Sequence, residues 1–258
     1  MTKQARQRAL IVLTNTAAYP NGAATGCWAS EFVHLYLPLV ELGLTVDLVS
    51  PVGGFVPIDP VSQRWPFYDR TTRRLLDRSD LRAQLANTAA PRDIDPASYA
   101  LIAYAGGHGA VFDVPQSEPL AHLAMAIYRH GGIVSAVCHG VAGLLPLSDS
   151  NGRPLIAGRR VTGYSGIEER LAGRRTQVPY LLPAQLRGRG AIYEAALLPF
   201  TSHTVRDGRI TTGQNPQSTK ALSRLNIDLL RAGVAGRLEW QVPGPVVETV
   251  PQRDWFPA

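Results

Sequence analysis

Four short apolar runs, each followed by a turn and then by residues at helical spacing, constrain this chain more than any other feature. They read RALIVLT at 8–14, LTVDLVSP at 44–51, YALIAYAGGHGA at 99–110 and GIVSAV at 132–137. A continuous apolar run rich in branched residues is the pattern of a strand buried on both faces. Between the first two, TGCWASEFVHLYLPLVELG at 25–43 has helical spacing, with Gly43 as its stop and Pro38 predicting a kink or break. Residues 117–130 predict another helix, and 139–146 begin one directly after the fourth strand. Strands alternating with helices predict an α/β fold, a mostly parallel sheet with helices on both faces.

Further along, RRVTGYS at 159–165 reads as a short strand and VPYLLPAQLRGRG at 178–190 as helical. SHTVRDGRITTG at 202–213 predicts a hairpin turning at Asp207-Gly208, and Asn215-Pro216 predicts the cap of a helix over 216–233. The Gly- and Pro-rich stretch 52–62 predicts a loop and 64–90 short helices, so about 52–95 reads as an insertion. The expected organisation is one domain over 1–234 and a Pro-rich tail over 235–258. That tail is either disordered or an arm packed on its own domain or a partner subunit, and Trp240, Trp255 and Phe256 favour the arm.

Composition narrows the partners. With 45% hydrophobic residues among 258, a sizeable core can be buried. The net charge is +6, but Lys3 and Lys220 are the only lysines and the arginines are scattered. That predicts a solvated surface and no nucleic-acid partner. No apolar run approaches the ~20 residues of a membrane span, and the N-terminal ALIVL run is too short for a signal segment, so a soluble cytoplasmic protein is expected. Two cysteines, Cys27 and Cys138, make no disulfide framework and show no zinc-ligand spacing.

Ligands of such sheets bind at the carboxyl ends of the strands. Gly106-Gly107-His108, Cys138-His139 and the loop after the first strand all fall there. Cys138 is either a buried structural thiol or a nucleophile held where a strand turns into a helix. Its small neighbours Ala136, Gly140 and Ala142 suit a tight nucleophile elbow. A helix N-terminus there would lower the thiol pKa and offer N–H groups to an oxyanion, with a second donor from the AGGHG turn. His139 is either a surface residue or the base. A base needs a partner to fix its tautomer, and Glu168 and Glu169 are the carboxylates downstream.

AVCHGVAGLL, AGGHG, TGCWASEF, SPVGGFVPIDPVS, VTGYSGIEE and VRDGRITTGQNPQST, in that combination, resemble the ThiJ/PfpI superfamily, and most nearly its glutathione-independent glyoxalase branch, whose members are also described as stress chaperones. The similarity runs from about residue 9 to 232. It implies a flavodoxin-like three-layer sandwich, related to class I glutamine amidotransferases, and a homodimer. It places the nucleophile at Cys138, the catalytic histidine at His139 and the acidic member at Glu169, with Glu168 the alternative. It places a glutamate that contacts the nucleophile at Glu31 and the oxyanion glycine at Gly107. Val141 and Ala105 depart from the family, which commonly has proline at both places, and are expected to reshape the pocket. Cys27, four residues before Glu31, is expected to share its helix face and line the pocket.

The implied activity needs no cofactor and no metal. Cys138 attacks a small 2-oxoaldehyde such as methylglyoxal, His139 or Glu31 moves a proton from C1 to C2, and hydrolysis releases the 2-hydroxy acid, a net hydro-lyase reaction. A protonated Glu31 with a raised pKa would donate to the sulfur. The same residues could serve a hydratase, hydrolase or deglycase. A holdase chaperone or redox sensor is the non-enzymatic alternative. An amidotransferase fits poorly, because no His-x-Glu follows downstream.

Overall fold

The computed structural model describes residues 8–233, so the predicted tail lies outside the described residues. The four apolar runs form β1 (Arg8–Val12), β2 (Thr45–Val49), β3 (Tyr99–Tyr104) and β4 (Ile133–Val137). β5 (Arg160–Val161) and β6 (Ile192–Tyr193) make a separate parallel pair, and β7 (Thr204–Asp207) and β8 (Ile210–Gly213) form the expected hairpin. The main sheet runs β2-β1-β3-β4-β8-β7, and only β7 is antiparallel to its neighbour. Every residue of β3 and β4 is buried, as their unbroken apolar sequences require.

The helices are α1 (Ala29–Glu41), α2 (Arg70–Leu76), α3 (Ser79–Ala86), α4 (Ala110–Asp113), α5 (Glu118–Arg129), α6 (Gly166–Leu171), α7 (Leu182–Gly188) and α8 (Thr219–Arg231). α1 and α8 pack on each other, and α5 packs on β3 and β4. The result is an α/β sandwich with helices on both faces of a mostly parallel sheet. No helix among the described residues is long and apolar enough to cross a membrane. Residues 64–90, expected to hold short helices, supply α2 and α3.

Three local readings are corrected. The first helix starts at Ala29, four residues later than expected. Cys27 is instead pinned in extended form, its N–H donating to Pro57 O at 2.8 Å and its carbonyl accepting from Asp59 N at 2.9 Å. Of the kink or break expected at Pro38, the break does not occur, and the helix runs through it. Proline withholds the N–H that would bond the His34 carbonyl. Ser223 Oγ, on α8, supplies the missing donor at 2.6 Å. Finally, the segment after β4 is a 3-10 helix over Cys138–Leu144. It lies hard against the end of β3: a Cβ on Gly140 would come within 2.6 Å of the Tyr104 and Ala105 carbonyls.

Ser223→Ala should leave that part-buried carbonyl without a donor and lower unfolding stability by about 1 kcal/mol. Urea denaturation of the two proteins checks this, and no change would mean that Pro38 needs no such compensation.

Candidate active site

The carboxyl ends of β3 and β4 bring the chemistry together. Cys138 takes a left-handed backbone, φ 55°, which few side-chain-bearing residues adopt. This strained corner throws its side chain out of the strand line, as expected for an elbow. His139 Nδ1 lies 3.5 Å from Cys138 Sγ, and His139 Nε2 lies 2.7 Å from Glu169 Oε2. The other Glu169 oxygen, Oε1, is 3.0 Å from His108 Nε2. The two imidazole centroids are 4.2 Å apart, and the Tyr164 ring is 4.4 Å from that of His139.

Glu169 therefore occupies the position expected of the acidic member. Glu168 does different work. Its side chain accepts from Ser165 N at 2.9 Å, Phe200 N at 2.8 Å and Asn215 Nδ2 at 2.7 Å, and it closes the capping box of α6 with Ser165.

A carboxylate only accepts hydrogen bonds, so both histidines must carry their proton on Nε2. That leaves the Nδ1 of His139 as a lone pair facing the Cys138 thiol. Burial alone would push the Glu169 carboxyl up, but His139 and His108 overcome this and hold it well below the usual carboxylate range. Burial, and then the neighbouring His139, push His108 down.

Glu31 is fully buried, and its Oε2 accepts from the Gly106 N–H at 2.7 Å. Burial raises its pKa to about 8, as anticipated, against hydrogen bonds to Cys138 and Gly106 that favour the ionised form. The expectation of a low thiol pKa is overturned. Burial, then Glu31, pushes Cys138 well up, and the His139 backbone N–H offsets this only in part. A short 3-10 turn around a cysteine that is only 4% exposed is no substitute for a solvated α-helix terminus.

Cys138, His139, His108 and Gly107 line a cavity of about 290 Å³. Its remaining wall is largely aromatic and apolar, with Tyr19, Trp28, Phe67, Tyr164 and Phe200, and Arg174 also lines it. Sequence reasoning missed these wall residues, which come from segments far apart in the chain. Arg174 was counted among the solvated arginines, but it sits 5.2 Å over the Tyr19 ring. Gly107 adopts φ +103°, and a Cβ there would strike the Gly26 carbonyl.

Several expected lining residues are elsewhere. The Gly106 N–H is committed to Glu31, so it is not a free donor. Cys27 is fully buried and outside the cavity wall, because it precedes α1 and so does not share the Glu31 helix face. Val141 is also fully buried, facing Gly163, and neither it nor Ala105 lines the cavity. Donor atoms of His108, His139 and Glu169 lie within 4.8 Å of one another, a set that could hold a metal ion. A hollow of about 470 Å³ near Arg8, Asp47 and Tyr99, at the other ends of the strands, contains neither cysteine nor histidine.

Together these features define an α/β sandwich with a strand-end cysteine backed by a histidine and a buried glutamate. The chain belongs to the DJ-1/PfpI family, whose sequence profile matches residues 23–228. It is 34% identical over 241 residues to the glutathione-independent glyoxalase HSP31 of Saccharomyces cerevisiae, covering 88% of this chain and 99% of that one. It is 33% identical to glyoxalase 3 of Candida albicans, covering 82% and 93%. The crystal structure of glyoxalase III from Candida albicans superposes with a TM-score of 0.80 at 32% identity, covering 87% and 97%. The rapid encystment protein of Francisella tularensis superposes with a TM-score of 0.83 at 33% identity, covering 87% and 99%.

Glu31 gives a pH signature. Its ordinary value is 4.5 and its folded value about 8, so between these pH values the folded chain holds a proton that the unfolded chain has released. Stability is then fully present below about pH 4.5 and falls as pH rises through about 8. Glu31→Gln keeps an acceptor for Gly106 and a donor for the sulfur but does not titrate. The thermal midpoint of wild type should fall relative to Glu31→Gln across that range, and parallel midpoints would contradict the raised pKa.

Proposed function

We propose that this chain is a glutathione-independent glyoxalase that converts methylglyoxal and water to lactate without a cofactor. The observation that carries the reading is the aligned set Cys138 Sγ, His139 Nδ1, His139 Nε2 and Glu169, with contacts of 3.5 and 2.7 Å. The relatives named as glyoxalases, which match over most of the chain, support it.

The resting sulfur is a thiol, so attack and deprotonation go together. His139 Nδ1 takes the S–H proton as Sγ adds to the aldehyde carbon C1, and Glu169 stabilises the imidazolium that forms. The Gly107 N–H has no hydrogen-bond acceptor among the described residues, lies on the cavity wall and can hold the developing oxyanion. Protonated Glu31 donates to the sulfur from behind, so the buried pair carries no more than one negative charge. His139 passes the thiol proton to O1, and the resulting hemithioacetal rearranges through an enediol to a lactyl thioester. Water cleaves the thioester, losing a proton to His139, and His139 passes that proton to the departing sulfur. In net terms the enzyme is a hydro-lyase acting in the hydration direction. The two free cysteines support a reducing, cytoplasmic setting, and the homodimer implied by the resemblance goes with this reading.

Wild type should turn over methylglyoxal with no glutathione present, and Cys138→Ala should abolish it. A Cys138→Ala rate near that of wild type would sink the mechanism. Glu169→Gln, which leaves His139 without its anionic partner, should lower kcat by about 10²–10⁴-fold in the same assay.

A further inference from the structure

The rearrangement requires a base that takes the proton from C1 of the hemithioacetal and delivers one to C2. The two groups expected to do this are both turned to the sulfur. Glu31 is fully buried, is absent from the cavity wall, and has one oxygen on the Gly106 N–H and its carboxyl against Cys138. His139 presents its Nδ1 to Sγ and its Nε2 to Glu169.

We propose that His108 is a second catalytic base of this reaction, carrying the proton between C1 and C2. The proposal rests on the glyoxalase reading. His108 lines the cavity beside Cys138 and His139. Its Nε2 is held 3.0 Å from Glu169 Oε1, so its proton is on Nε2 and its Nδ1 carries the lone pair. That Nδ1 has no hydrogen-bond partner among the described residues and yet is not sealed from solvent, so it opens to the cavity. The backbone fixes the ring there, since His108 follows Gly107, whose φ of +103° turns the chain at the end of β3. Burial keeps the ring neutral at rest, as a base must be, and Glu169 stabilises the cation once the ring takes a proton.

The step balances. His108 Nδ1 takes the C1 proton. The C1–H electron pair becomes a C1=C2 bond, and the C2 carbonyl pair moves onto O2. The Nδ1 proton then passes to C2 on the electron pair of the C1=C2 bond. The O1 hydroxyl becomes the thioester carbonyl as its proton moves to O2. His108 ends neutral, and no oxidant or reductant is needed. His139 is left free to serve the sulfur at the first and last steps.

The test compares wild type, His108→Gln and His108→Ala. His108→Gln should lose about 10²-fold or more in kcat with KM changed only a few-fold. Its Cys138 should be alkylated by iodoacetamide within about threefold of the wild-type rate, as expected if Nδ1 of His139 remains the sulfur's own base. Added imidazoles should restore turnover to His108→Ala, with rates that rise with the pKa of the added base, a trend that mere filling of space would not produce. His108→Gln within about threefold of wild-type kcat overturns the proposal. So does a loss matched by slowed alkylation, or the absence of a rescue that tracks base pKa. If wild type itself fails to turn over methylglyoxal while Cys138 still alkylates, the glyoxalase reading fails and takes this assignment with it.

Discussion

The site depends on one carboxylate that accepts two hydrogen bonds at once. Glu169 binds His139 through one oxygen and His108 through the other, at 2.7 and 3.0 Å. Because it can only accept, it sets the tautomer of both rings. Both Nδ1 atoms are thereby left with lone pairs, one on the thiol and one open to the cavity. Such a dependence works only if Glu169 is immobile. It sits in the first turn of a helix that is fixed by a capping box and is 3% exposed. The two imidazoles also solve the carboxylate's own difficulty, since a buried charge without partners would be protonated instead.

The same burial changes how the cysteine must act. A solvated helix terminus would store a thiolate in the resting protein. Here Sγ is enclosed, with Glu31 behind it, and burial raises both pKa values. On the proposed mechanism the charge is made only when an electrophile arrives, and it is shared at once with His139. The strained φ of Cys138 belongs to the same design, as it places the sulfur between Glu31 and His139.

Much of this was legible in the residues, for identifiable reasons. β1 to β4 announced themselves because strands buried on both faces need unbroken apolar runs. The hairpin and the Asn215 cap were legible from turn and cap chemistry, which is local. Cys138, His139 and Glu169 were placed by motif. Failures came where tertiary contact overrides local preference. Pro38 does not break α1, because a serine from another helix bonds the freed carbonyl. Cys27 looked helical from its spacing and is extended because the Pro57–Asp59 segment clips it on both sides. The aromatic wall and the His108–Glu169 contact join residues up to 61 positions apart in that pair, and no short-range pattern encodes such a pairing.

Glu168 and Glu169 are neighbours on one helical turn with opposite employments. Glu168 ties α6 to the Phe200 and Asn215 segments, and Phe200, Pro216 and Gln217 belong to the cavity wall. Part of the cavity wall and the carboxylate that orients both histidines therefore hang from the same short helix. Sequence change in that part of the wall would disturb the orientation of both imidazoles. Substitutions on the Phe200 side of the wall therefore reach both imidazoles through one helical turn.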